Sequence, residues 1–422
     1  FQAEDGIRDA QESRGLGDVY KRQDNNNHNN DHPDENQSPG GMAFPTPLID
    51  EPDSVYGEAK VGIFVKGWGF GFGHILGRYG ITTVSVYPDL KYWKDPDTTL
   101  SSIIDLLVIG SGGLSGFNSP EFKQRLENYV AGGGNLLVLD QKFGSDLSAL
   151  PGNIGGYGWN EDQSCFHNAV YLSKWHPIFS GQESHLMSCN VDGYITQYPS
   201  NAEILLRRTA NGMPSLLTYS YGAGRVIVSS LYPDWGYGHN QTPPNELRLF
   251  RDITTYAMNP NMDITEFYPN SAVSVPVTMR YIADDTIKAT SAIIKVMTPD
   301  RNLYDSINVS VSLLPGDEIQ WEWDKSYISS YLGLWVIDYA LMDSSNNVIQ
   351  ECNRGAIFSQ RIDVPTGNYN LGDFQLWVNS NNEEFIKEDT VHFEIFVRNN
   401  TDSLFTGKII VVRNHDIIDS IM

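Results

Sequence analysis

Residues 231–239, Leu-Tyr-Pro-Asp-Trp-Gly-Tyr-Gly-His, hold the densest chemistry in the chain. Stackable rings (Trp235, Tyr237) stand beside a carboxylate (Asp234) and an imidazole (His239). Such groups suit the faces and hydroxyls of a sugar, or a peptide. A structural loop in which Trp235 plugs a sheet edge explains the same residues more simply, and both readings stay open. A second stretch, residues 67–73, alternates glycine with Trp68, Phe70 and Phe72. It lacks the G-x-G-x-x-G spacing and acidic ribose ligand of a dinucleotide site. It reads first as a glycine-rich loop packing its rings, and second as a ligand-stacking platform built on Trp68 and Phe70.

The other reactive types are sparse. Cys165, Cys189 and Cys352 form no C-x-x-C pair, so neither a cysteine-built zinc site nor a dithiol redox site is expected. Cys165 and Cys189 share a loop-rich stretch and could pair, but the sequence leaves that open. Cys165 with His167 or His176 as base is a weak nucleophile pattern, set against a packed cysteine. His28 and His32 lie in a polar tract and read as solvated. No metal site and no cofactor is expected.

The elements that must position these groups follow from periodicity. Residues 61–65, 82–87, 105–109 and 135–140 read as short apolar strands. Residues 74–79 read as a short helix. Ser119-Pro120-Glu121 opens a longer one, with Phe122, Leu126, Tyr129 and Val130 on one face and Gly132-Gly133-Gly134 as its stop. Alternating strands and helices predict a doubly wound, flavodoxin-like parallel sheet. After a looser region at 142–199, strands at 203–207, 215–219 and 225–231 read as an antiparallel addition, and 245–257 as a closing helix. Beyond Pro260 the pattern is all-β, with strands at 274–281, 291–297, 307–314, 335–342 and 347–351, which suits an immunoglobulin-like sandwich. The expected division is an α/β domain at 61–260, a β-sandwich at 261–365 and a partial second sandwich at 366–422.

The N-terminal part needs separate treatment. Back-translated, residues 2–9 resemble a sequencing-library adapter, and residues 13–23 a transposon end used for DNA tagging. Residues 1–23 are therefore expected to be an artefact of environmental sequencing, and the chain a fragment at both ends. Residues 24–60, rich in Asn, Asp and Pro, read as a disordered linker. The formal net charge of −23 repels phosphate backbones and anionic headgroups, which argues against nucleic acid as a partner. No run approaches the roughly 20 apolar residues of a bilayer crossing.

Three features carry a family resemblance: residues 105–113 (Asp-Leu-Leu-Val-Ile-Gly-Ser-Gly-Gly), the helix, glycines and strand of 126–140, and Tyr221-Gly222-Ala223-Gly224-Arg225-Val226. Residues 61–258 resemble the class I glutamine amidotransferase-like superfamily. The resemblance implies a nucleophilic cysteine in a G-x-C-x-G turn after the fourth strand, served by a histidine two residues before a glutamate. Here the turn is Asp140-Gln141-Lys142-Phe143-Gly144, with Lys142 in the nucleophile slot, and His239 is followed by Gln241. An ammonium does no thiolate chemistry, and a glutamine does not stabilise an imidazolium.

The expectation is thus a non-catalytic relative. It would be a binding or scaffold protein, not an enzyme, placed in an extracellular, periplasmic or cell-surface setting, recognising glycan or peptide through Trp68, Phe70, Asp234, Trp235, Tyr237 and His239. The alternative is an extracellular carbohydrate- or peptide-processing hydrolase. The oligomeric state is not legible.

Overall fold

The computed structural model describes residues 61–360, apart from 91–99, 163–168, 183–185, 261–263, 268–271, 283–285 and 327–331. Beyond 360 it describes the backbones of a few strands. The expected artefact at 1–23 and linker at 24–60 lie outside the described residues, as do Cys165 and His167.

The architecture is a mixed α/β sheet unit followed by smaller all-β sheets. Strands β1 (Val61–Phe64), β2 (Thr83–Val86), β3 (Leu106–Ile109) and β4 (Asn135–Val138) are buried on both faces and pair in parallel, β1 lying between β2 and β3. Helices α1 (Gly69–Arg78) and α2 (Pro120–Ala131) connect them. The α2 start follows its sequence signal: the Ser119 side chain accepts the Phe122 N–H, and Pro120 takes the first turn. Next come β5 (Gly155–Tyr157), β6 (Ala169–Leu172), β7 (Leu186–Ser188), β8 (Tyr194–Gln197), β9 (Glu203–Arg208), β10 (Pro214–Tyr221) and β11 (Gly224–Ser229). Helices α3 (Pro233–Gly238) and α4 (Pro244–Met258) close the unit.

The nine-stranded sheet runs β2-β1-β3-β4-β11-β10-β9-β6-β7. Its two faces are covered by different helices. Phe72, Ile75 and Leu76 of α1, with Leu247, Phe250 and Ile253 of α4, pack on Val61, Ile63, Leu106, Val108 and Ile227. Phe122, Leu126 and Val130 of α2 pack on Leu107, Ile109, Leu136, Val138, Val226 and Val228.

The strand at 225–231 pairs antiparallel with β10, as expected, and β11 joins this pair to the sheet in parallel with β4. Three local expectations need correction. The glycine–aromatic stretch is no loop but the opening turns of α1, which begins at Gly69. Glycine's poor helix propensity is overridden by close packing. A Cβ on Gly71 would lie 2.4 Å from the Asp234 carbonyl oxygen, and one on Gly69 2.7 Å from the Phe64 carbonyl oxygen. The aromatic–acidic loop is likewise the short helix α3, with Pro233 in its first turn. The looser region contributes β6 and β7 to the main sheet.

The all-β part begins with β12 (Ile264–Phe267), a strand the apolar pattern did not reveal. It continues through β13 (Val273–Arg280), β14 (Ala289–Met297), β15 (Leu303–Leu313), β16 (Glu318–Lys325), β17 (Leu334–Met342) and β18 (Val348–Gln360). One sheet runs β12-β18-β17-β14-β15, and β13 pairs with β16. Ile319, Trp321 and Trp323 alternate with polar residues along β16, and Trp323 is enclosed between the two sheets with Val275, Ile294 and Trp335. Further on, β19 (Asn368–Asn370), β20 (Phe374–Ser380) and β21 (Phe393–Asn399) form one small sheet, and β22 (Ile409–Arg413) and β23 (Asp416–Ile421) another.

Candidate functional site

In a sheet of this kind the loops at the C-terminal strand ends gather on one side, where ligands bind. Here backbone bonds lace those loops together. Trp68 N–H donates to the Ser111 carbonyl (2.9 Å), Gly112 N–H to that of Asp140 (2.9 Å), and Asp140 N–H to that of Leu231 (3.1 Å). The first of these crossings requires glycine. Gly67 has φ +64°, and a Cβ there would lie 2.2 Å from the Ser111 carbonyl oxygen.

Asp234 locks the arrangement. Ser111 donates its N–H to Oδ2 (2.8 Å) and its hydroxyl to Oδ1 (2.6 Å), while Trp235 N–H also donates to Oδ1 (2.9 Å). The carboxyl is fully enclosed. Burial pushes its pKa up to about 6, against the lowering pull of those hydrogen bonds.

Above it lies an aromatic cluster. The His239 ring stacks on Trp235 at 4.2 Å and meets Trp68 at 5.5 Å, tilted by 56°. Its Nδ1 lies 2.8 Å from the Trp235 carbonyl oxygen. Trp235 is 8% exposed, Trp68 and Tyr237 are half-buried, and Phe70 and His239 are exposed. Of the six residues expected to bind, Trp68, Asp234, Trp235 and His239 come together, with Asp234 and Trp235 as the support and Trp68 and His239 above them. Tyr237 packs against the core cluster that α1 and α4 share, and Phe70 is exposed on α1. Asp234 and His239 are not a catalytic dyad: the carboxyl is spent on Ser111 and Trp235, and the ring is held by Trp235.

The slot assigned to a nucleophile is structural. Gln141 accepts the Leu114 N–H (2.8 Å) and donates to the carbonyls of Leu139 (2.9 Å) and Gly110 (3.2 Å). Lys142 is half-buried, its Nζ 5.7 Å from the Phe143 ring centroid. Gln241 is exposed and tied in by its backbone, with its N–H on the Gly236 carbonyl (2.8 Å). Cys189 is a buried free thiol whose pKa burial pushes well up. His176 caps a turn by accepting the Ile178 N–H, and burial lowers it to about 4. Among the described residues no three His, Cys, Asp or Glu side chains gather as a metal-binding group.

Sequence reasoning missed Asp140 as a candidate in its own right. It sits just beyond β4, 2% exposed, with Oδ1 accepting the Gln141 N–H (2.9 Å). Burial, then the charges of Asp192 and Asp234, push its pKa well above the usual carboxylate range. An acid directly after a buried parallel strand was the available signal. The Gln141-Lys142 comparison drew attention away from it.

No protein-family model matches the chain, and no curated protein matches it. Among solved structures it is similar to a cytoplasmic protein from Salmonella typhimurium LT2, with 16% identity over 47% of this chain and 99% of that one and a TM-score of 0.34. It is similar to a β-galactosidase from Bacillus circulans sp. alkalophilus, with 13% identity over 63% of this chain and 41% of that one and a TM-score of 0.34. A third is an exo-β-1,4-mannosidase from Opitutaceae bacterium strain TAV5, with 16% identity over 47% and 34% and a TM-score of 0.30. The chain thus spans well under half of either glycosidase.

Glycoside hydrolases recur among these neighbours. That corrects three expectations: the glutamine amidotransferase-like relative, the scaffold function and the lean away from an enzyme. The physical reason is that a missing thiol at the β4 turn excludes cysteine chemistry only. It leaves carboxyl-based hydrolysis untouched.

Proposed function

We propose that the chain is part of a carbohydrate-processing hydrolase whose sugar lies over the C-terminal ends of the parallel strands. One observation carries this reading: the enclosed carboxyl of Asp234, fixed on Ser111, beneath the rings of Trp235, His239 and Trp68. Sugars lay apolar C–H faces on aromatic rings and direct hydroxyls at carboxyl groups. Glycoside hydrolysis is itself carboxyl chemistry, in which a protonated carboxyl delivers its proton to the leaving oxygen. Asp234 is a positioning residue, since its carboxyl is hydrogen-bonded to Ser111 and to its own helix turn. The rings of Trp68 and His239 are the substrate-facing set.

The same proposal covers the finer architecture. The parallel order β2-β1-β3-β4-β11 is that of a flavodoxin-like, doubly wound half-sheet, and the β12–β18 unit is immunoglobulin-like. The boundaries 61–260, 261–365 and 366–422 go with it, as does an extracellular, periplasmic or cell-surface setting. No helix among the described residues is long and apolar enough to cross a membrane. A glycan is the proposed partner.

The test is release of nitrophenol from a panel of aryl glycosides, galactosides and mannosides included, between pH 5 and 8. Turnover that falls more than tenfold in Trp68→Ala and His239→Ala, with unchanged melting temperatures, supports the reading. A panel left intact by the unaltered chain refutes it.

A further inference from the structure

A second feature lies beside this site, between the ends of β4 and β11. A cavity of about 10 Å³ is lined by Asp140, Ser229, Ser230, Tyr157, Gly158 and Tyr194, among others. That is the room of about one water-sized group. Asp140 and Ser230 both line it, and Asp140 Oδ2 and Ser230 Oγ are buried with no hydrogen-bond partner among the described residues. Their residues are 2% and 4% exposed. Buried polar atoms left unpaired cost about 1–3 kcal/mol each, so a hydrogen-bonding group held between these two residues is favoured.

The chemistry of the pair narrows what that group is. The Asp140 carboxyl, its pKa raised by burial and by the charges of Asp192 and Asp234, and the Ser230 hydroxyl, which can donate or accept, both suit a hydroxyl as partner. The matching group makes two hydrogen bonds and is about the size of a single oxygen. Two of its lining residues are aromatic. Tyr157 and Tyr194 stack at 4.7 Å, and Tyr157 is 44% exposed. The segment bearing Tyr157 rests directly on the β4 turn, since Cβ atoms on Gly158 and Gly144 would meet the Gln141 and Gly156 carbonyl oxygens at 2.2 Å and 1.7 Å. The arrangement combines an exposed aromatic residue with one slot of hydroxyl size that it helps to line.

We propose that this slot is a sugar subsite, in which one hydroxyl of the carbohydrate enters between Asp140 and Ser230 while the sugar ring lies against Tyr157. It deepens the hydrolase reading and rests on it for the ligand class. Its residues are separate from the Trp68–His239 surface.

Binding of methyl β-galactoside and methyl α-mannoside, followed by saturation-transfer NMR, tests it. In Ser230→Thr an added methyl fills the slot, and affinity falls at least tenfold. Asp140→Asn keeps a neutral N–H donor of the same shape and stays within about threefold of the unaltered chain. Tyr157→Ala, at an exposed position that leaves the fold intact, loses the ring contact and weakens binding if Ser230→Thr proves unstable. Equal affinity in Ser230→Thr and Tyr157→Ala overturns the subsite. So does a slot that responds only to a cation, seen as a rise in melting temperature with Na⁺ or Ca²⁺ that Asp140→Asn abolishes. Aryl glycoside turnover without effect of these substitutions leaves the hydrolase reading standing and the subsite refuted. Sugar binding that depends on Ser230 without turnover does the reverse.

Discussion

Asp234 and Ser111, 123 residues apart in the chain, are joined by two hydrogen bonds in a fully buried site. Through them the turn after β3 and the first turn of α3 become one unit. Truncating Ser111 removes the hydroxyl bond while the backbone N–H groups of Ser111 and Trp235 still donate, and losing one hydrogen bond to a buried carboxyl costs about 1.5–3 kcal/mol. Ser111→Ala should therefore destabilise by about that amount in urea unfolding at pH 7. The pH dependence has a definite sign. Asp234 binds its proton more tightly folded, with a pKa of about 6 against an ordinary 3.8. Its favourable contribution is complete below pH 3.8 and is lost as pH rises through 6. Asp234→Asn, which cannot ionise, should gain on the unaltered chain across that window. A difference in melting temperature that stays flat from pH 4 to 7 would refute the assignment.

A parallel argument applies to Glu246. Its Oε2 accepts from Asn190 N–H (3.0 Å) and Nδ2 (2.8 Å), yet burial raises the group to about 8. The folded state thus holds a neutral acid at pH 7, and its contribution is lost as pH climbs through 8. Glu246→Gln is expected to cost little at pH 6 and to be the more stable protein at pH 9. Equilibrium unfolding at the two pH values decides it, and a loss at pH 9 equal to that at pH 6 would count against a neutral Glu246.

What the sequence disclosed and concealed follows from the same contacts. Residues 61–65, 105–109 and 135–140 are apolar runs whose burial on both faces is their own signature, so the parallel core was readable. The Ser119-Pro120 start was readable because capping is local. The onset of α1 was not. Gly69 and Gly71 favour a loop in isolation and become helical because the Phe64 and Asp234 carbonyls press where a Cβ would stand. The Asp234–Ser111 link is tertiary in the same way, so residues 231–239 read as a loop with an available acid when the acid is already committed. Asp140 was not legible because its burial and its charged neighbours Asp192 and Asp234 are tertiary features.

Those glycines give a paired prediction. Gly71→Ala places a methyl 2.4 Å from the Asp234 carbonyl oxygen and must push α1 off α3, at a cost of about 1–3 kcal/mol. Gly77 lies in the same helix, is exposed and meets nothing within 4 Å. Gly77→Ala should instead stabilise by about 0.5–1 kcal/mol, because the unfolded chain loses freedom and the helix loses nothing. Thermal melts of the two variants should move in opposite directions. A shift of the same sign in both would mean that close packing is not what requires Gly71.

The last prediction concerns how the α/β unit is fastened to the all-β unit. Arg251, in the middle of α4, is 2% exposed and donates from Nε to Asp252 Oδ1 (2.9 Å). Its Nη2 reaches the Leu332 carbonyl (2.9 Å) and its Nη1 pairs with Asp300. Asp252 in turn accepts the Leu334 N–H (3.4 Å) at the start of β17. A guanidinium with three acceptors, two of them on the all-β unit, is a buried fastening rather than a surface ion pair. Breaking it from the helix side strands Asp252 as an uncompensated buried charge, worth about 3–5 kcal/mol. Asp300 is half exposed, and its removal should cost about 1 kcal/mol or less. Arg251→Leu is expected to split a single calorimetric transition into two, the α/β unit and the all-β unit melting apart, while Asp300→Ala keeps one. If Arg251→Leu melts in one step at an unchanged temperature, the two units are held together by their apolar contacts and the ion pair is incidental.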